Sequence, residues 1–154
     1  MHHLTIPFPA LNPVAFEVGP LSVKWYGLAY LAGLLLGWLY VKRLLQQDRL
    51  WPAAKSPFSP LRADDLLLYM TVGVLLGGRM GYVLFYEPAH FFANPADIPA
   101  VWHGGMAFHG ALLGSILAIV LFARNAGANP WSVLDLCASA VPMGLFFGRL
   151  ANFI

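Results

Sequence analysis

Four long apolar runs dominate this chain, and each is close to the roughly 20 residues a helix needs to cross a bilayer core. The first runs from Trp25 to Val41 or Leu45. The others cover about 66–86, 106–123 and 133–154. Between them the composition changes sharply. Residues 42–65 are polar and include Pro52, Pro57 and Pro60. Residues 87–105 include Pro88, Asn94, Pro95, Asp97 and Pro99. The last connection, 124–130, is short and has Gly127 and Asn129 as turn formers. The expected fold is therefore all-α, a polytopic transmembrane helix bundle with four spans at 25–45, 66–86, 106–123 and 133–154. Residues 1–24 form a separate N-terminal periplasmic or interfacial segment. Within it, 15–23 is too short to span and contains Glu17, Gly19 and Pro20. It reads equally as a hairpin or a short helix.

Composition supports the membrane reading. Apolar residues make up 59% of the chain and charged residues 10%, against about 25% charged in soluble domains. So few charges cannot cover a soluble globule, whereas lipid does not require them. The nine basic residues form no dense patch, which argues against a nucleic-acid partner. The single cysteine, Cys137, excludes an intrachain disulfide and reads as a small buried apolar residue. His2, His3, His90 and His103 lie in terminal or loop segments without metal-ligand spacing, so no metal is expected. The N-terminus, interrupted by Pro7, Pro9 and Pro13, does not read as a cleavable signal peptide.

Loop charges set the orientation. The first connection carries Lys42, Arg43, Arg49, Lys55 and Arg62, the second no Lys or Arg, and the third Arg124. The first and third then face the cytoplasm, and the N-terminus is periplasmic. Lys24 is the one mild dissent. Each span also holds small residues four apart: Gly33/Gly37, Gly73/Gly77/Gly81, Gly110/Gly114 and Gly144/Gly148. Such pairs let helix backbones approach closely.

Polar side chains at membrane depth are costly and commonly functional. Tyr26 opens the first span on the outer side. Arg79 lies roughly 10 Å inside the outer end of the second, and His109 about 5 Å inside the outer end of the third. Arg149 and Asn152 lie late in the outward-running fourth span and, three apart, share a face. All five fall in the outer half of the bilayer. Two arginines and a histidine at that depth suit an anionic group such as a phospholipid head group, because guanidinium binds phosphate bidentately. Structural readings stand beside this one. Arg79 can snorkel or pair with a carboxylate, Arg149 can snorkel, and Tyr26 can belong to an interfacial belt with Trp25. Asp135 reads as a charge near a helix N-terminus. A transporter or lipid-binding protein with an intramembrane anion site is the alternative function.

Four blocks carry a resemblance: Lys24-Trp25-Tyr26-Gly27-Leu28, Gly77-Gly78-Arg79-Met80-Gly81-Tyr82, Trp102-His103-Gly104-Gly105-Met106-Ala107-Phe108-His109-Gly110, and Gly148-Arg149-Leu150-Ala151-Asn152-Phe153-Ile154. In order and spacing the chain resembles the N-terminal portion of the phosphatidylglycerol–prolipoprotein diacylglyceryl transferase family. The resemblance implies a transferase of the bacterial cytoplasmic (inner) membrane with about seven spans in all, each of bilayer length. It implies transfer of the diacylglyceryl group of phosphatidylglycerol to the lipobox cysteine of a prolipoprotein signal peptide, without a cofactor. Carried over, His109, Arg149 and Tyr26 are catalytic, and Arg149, Asn152, Arg79 and Gly110 bind phosphatidylglycerol. The chain departs from the family pattern at Ala111, where a second glycine follows the histidine, and at Ala107, often serine. It also stops at Ile154, where the family continues into an Asn-Gly-Glu segment and a later arginine. A truncated, inactive portion is therefore expected.

Overall fold

The structure, a computed structural model, describes residues 12–19, 21–52 and 55–153. Residues 1–11 of the N-terminal segment, Pro20 and the end residue Ile154 lie outside them. Two antiparallel strands come first, β1 (Val14–Val18) and β2 (Leu21–Lys24). The 15–23 segment is thus a hairpin, turning at Gly19 with φ +59°. A positive φ is cheap only for glycine, which favours a tight turn over a helix here.

Four helices of spanning length follow: α1 (Trp25–Leu45), α2 (Ala63–Phe85), α4 (Phe108–Ala126) and α5 (Pro130–Phe153), with the short α3 (Pro88–Ala93) between α2 and α4. The protein is a multi-pass membrane protein by the length and apolar composition of these helices. Helix ends shift from the expected ones for local reasons. A 3₁₀ turn at Pro60–Arg62 leads into α2, so that helix begins at Ala63 with Asp64 and Asp65 in its first turn. Gly104 and Gly105, with φ +86° and +81°, break the chain and delay α4 to Phe108. Gly127 ends α4 in the left-handed conformation. The Trp131 N–H donates to the Asn129 side chain at 2.9 Å, which caps α5 and starts it at Pro130. Asp135 therefore lies beyond the first turn and is not an N-terminal charge. The connection 87–105 is more ordered than a loop: α3 is followed by 3₁₀ turns at Pro95–Asp97 and Val101–His103.

The chain divides into two compact units, residues 41–137 and the pair of segments 1–40 and 138–154. In the first, the most deeply buried side chains, Phe122, Val133, Leu45 and Leu136, gather near the Lys/Arg-rich connections. Phe122 meets Phe58 and Tyr69 edge-on, with centroids 4.9 and 5.8 Å away. Arg62 ties this end together by donating to the Asn125 carbonyl at 3.1 Å, and Asn125 donates to the Tyr69 hydroxyl at 3.0 Å. Toward the other end, α2 and α4 meet backbone to backbone. A Cβ added at Gly73 would lie 2.5 Å from the Gly114 carbonyl oxygen. One added at Gly77 or Gly110 would collide with the other residue's carbonyl. In the second unit α1 meets α5: a Cβ at Gly33 would lie 3.2 Å from Phe147 and 3.5 Å from the Gly144 Cα. Many leucines on all four helices stay exposed, as lipid-facing positions do.

Candidate functional site

Two groups of candidate residues result, one in each unit. Tyr26, Arg149 and Asn152 lie in the α1–α5 unit, and Arg79, His109 and Gly110 in the α2–α4 unit.

In the first group, Tyr26 stands in the opening turn of α1 and is 52% exposed. Its hydroxyl donates to the Tyr30 hydroxyl at 3.1 Å, one turn along, with ring centroids 4.6 Å apart. A side chain on Gly148 would come within 3.8 Å of the Tyr30 oxygen. Tyr30 thus approaches α5 at Gly148, the residue before Arg149 in the chain. Arg149 and Asn152 are both exposed, three apart on α5. An exposed guanidinium can receive an anionic oxygen, and an amide three residues on can add a hydrogen bond. Tyr30 was not singled out from the sequence. Its position four residues after Tyr26, on the same helix face, was the available signal.

In the second group, His109 is the second residue of α4 and is exposed, its ring edge-on to Phe108 at 5.6 Å. An accessible imidazole near a helix start can exchange a proton with a bound substrate. Gly110 follows it, and its bare Cα faces α2: a Cβ there would meet Gly81 Cα at 2.9 Å. That glycine is occupied by helix packing. Ala111, in place of the second glycine, lies on the neighbouring face, where a Cβ on Gly78 would sit 3.4 Å from its methyl group.

Arg79 is 6% exposed, the one buried charged side chain among the described residues. It neither snorkels nor forms an ion pair among those residues. Its Nε donates to the Ile98 carbonyl at 2.7 Å, and Nη2 to Asp97 at 2.7 Å. Its Nη1 donates to Gly104 at 2.6 Å and Gly105 at 3.1 Å. The Phe91 ring lies 5.0 Å from the guanidinium carbon. A polar cavity of about 260 Å³ opens here, lined also by Tyr82, Glu87 and His90. Tyr82 donates to Glu87 at 3.0 Å, and His90 lies 3.3 Å from an Asp97 carboxylate oxygen. Among the described residues no cluster of histidine, cysteine and carboxylate side chains is suited to a metal ion.

Comparison with known proteins bears on what these groups serve. The family model for prolipoprotein diacylglyceryl transferase matches residues 13–154. A Rhizobium meliloti protein named phosphatidylglycerol–prolipoprotein diacylglyceryl transferase is 52% identical over 149 residues. Proteins of the same name from Agrobacterium fabrum and Brucella ovis are 50% and 51% identical. Each match covers 97% of this chain and 53% of the relative. The chain thus spans about half the length of these curated relatives.

Proposed function

The chain belongs to the prolipoprotein diacylglyceryl transferase family, and from that premise we propose that the full-length protein lipidates prolipoproteins. It takes the diacylglyceryl group from phosphatidylglycerol and places it on the lipobox cysteine of a signal peptide, at the periplasmic face of the bacterial inner membrane. The sulfur bonds to the glyceryl carbon, and that carbon's bond to the phosphate oxygen breaks. The electron pair leaves with glycerol phosphate, and the thiol proton goes to a base. The observation that carries this reading is similarity over 97% of the chain to relatives of that name.

The chemistry of the exposed residues suits this reaction. A free thiol ionises near pH 8.5, so a neutral imidazole can take its proton, and His109 is the candidate. A fixed guanidinium offsets charge growing on a departing phosphate ester, the role assigned to Arg149. Asn152 adds a hydrogen bond to the head group, and Tyr26 lines the site from α1. The supporting structural feature is the exposure of all four side chains on helices of spanning length.

In the full-length protein, Arg149→Lys keeps the charge and loses the planar fork. Lipoprotein modification should fall about a hundredfold or more, the scale of losing a transition-state donor, while membrane insertion persists. Gel-shift of a lipobox substrate in membranes measures it. Normal modification by the variant would remove Arg149 from the role. A protein that moved anions into liposomes and formed no thioether would overturn the transferase reading.

A further inference from the structure

We infer that Arg79 is a positioning residue for the proposed transfer, latching the loop that delivers His109 rather than contacting the lipid. This rests on the transferase reading above. Guanidinium has five N–H donors, and Arg79 makes four hydrogen bonds with them, all to backbone carbonyls. Bidentate grip on a phosphate needs a free parallel pair of donors, and the loop already occupies those edges. The surrounding cavity also disfavours an anion, because its lining includes the carboxylates of Glu87 and Asp97.

What the arginine gathers is specific. Its carbonyl partners come from two ends of one segment, 97–98 and 104–105. The segment is folded back around a single buried cation. At its far end Gly105 has φ +81°, and a Cβ there would press to 2.5 Å from the Tyr82 ring and 3.0 Å from Arg79 Nη1. Two residues later the Ala107 N–H donates to the Gly78 carbonyl at 2.9 Å. Ala107 is the residue that precedes α4, and His109 is the helix's second residue. The start of α4 is thereby held to α2 twice, by the Gly78 carbonyl and by the Arg79 side chain. Arg79 thus acts on His109 through the loop and the first turn of α4.

The test uses the full-length protein in nanodiscs containing phosphatidylglycerol, with a lipobox peptide. Arg79→Gln, Arg79→Lys, Gly105→Ala and the Arg79→Gln/Gly105→Ala double variant are compared. Gly105→Ala disturbs the same network from the loop side, pressing on Tyr82 and Arg79 while the guanidinium is kept. Each single variant should lower kcat about ten- to hundredfold, the scale of a misplaced catalytic group, with KM for phosphatidylglycerol unchanged. Lys should do no better than Gln, and the double variant no worse than the poorer single one, as for two changes in one network. Amide exchange of residues 97–107 should accelerate in every Arg79 variant while α1 stays protected. A rise in KM at constant kcat, rescue by Lys, or additive losses would overturn the inference in favour of direct lipid binding. Exchange reads the latch without any reaction. If the wild-type protein forms no thioether, the transferase reading fails separately, and unchanged exchange in Arg79→Gln still overturns the latch.

Discussion

The Tyr30 hydroxyl accepts a hydrogen bond from Tyr26 and approaches the backbone of Gly148, next to Arg149. If Tyr26 serves the proposed site, Tyr30 holds it. A neutral hydrogen bond contributes about 0.5–1.5 kcal/mol net, so Tyr30→Phe should lower kcat/KM about two- to tenfold. Tyr26→Phe should cost the same, and the double variant no more, in a membrane transfer assay. An unchanged Tyr30→Phe would leave this tyrosine without a part. At this scale the sequence is legible where a residue's chemistry is carried by the residue itself. His109, Arg149 and Asn152 are exposed polar groups on apolar helices, and their type and depth already single them out. Arg79 is not legible in that way. Its partners are carbonyls 18 to 26 residues away, and nothing in a run of side chains announces where a backbone oxygen will point. Gly110 has the same difficulty: the motif suggests lipid, and the fold gives its bare Cα to α2.

The glycine spacing looks alike in all four spans, but the structure separates them. Between α2 and α4 the glycines remove side chains that would strike backbone atoms, so the helices touch along Gly73, Gly77, Gly110 and Gly114. A Cβ at Gly144 meets nothing within 4 Å. Gly114→Ala should therefore destabilise the protein by about 1–3 kcal/mol through overpacking. Gly144→Ala should stay within about 0.5 kcal/mol of the parent, as changes at unconstrained positions do. Unfolding by sodium dodecyl sulfate in mixed micelles compares them; equal losses would mean that close approach is not what these glycines provide. The spans themselves are readable because length and apolarity are nearly sufficient for a membrane helix. The short elements are not. α3 has only six residues, beginning at Pro88, and the hairpin 14–24 has no strong alternation, so each depends on tertiary support rather than local pattern.

For the whole molecule, charge asymmetry makes the testable statement. In a Cys137→Ala background, Lys55→Cys and Phe92→Cys sit at exposed positions on opposite connections. An impermeant maleimide added to intact spheroplasts should label Phe92→Cys, and reach Lys55→Cys only after permeabilisation. The reverse pattern would invert the topology and move the proposed site to the wrong face for lipoprotein substrates. The partnering of the helices has a further consequence, for the order of biogenesis. α2 and α4 are joined by the latched segment 86–107 and can pair as soon as both leave the ribosome. Gly33 and Gly37 of α1 meet Ala140, Gly144 and Phe147 on α5, the last described helix. At about 5–20 residues per second of synthesis, this α5 surface reaches Gly33 and Gly37 several seconds after α1 is made.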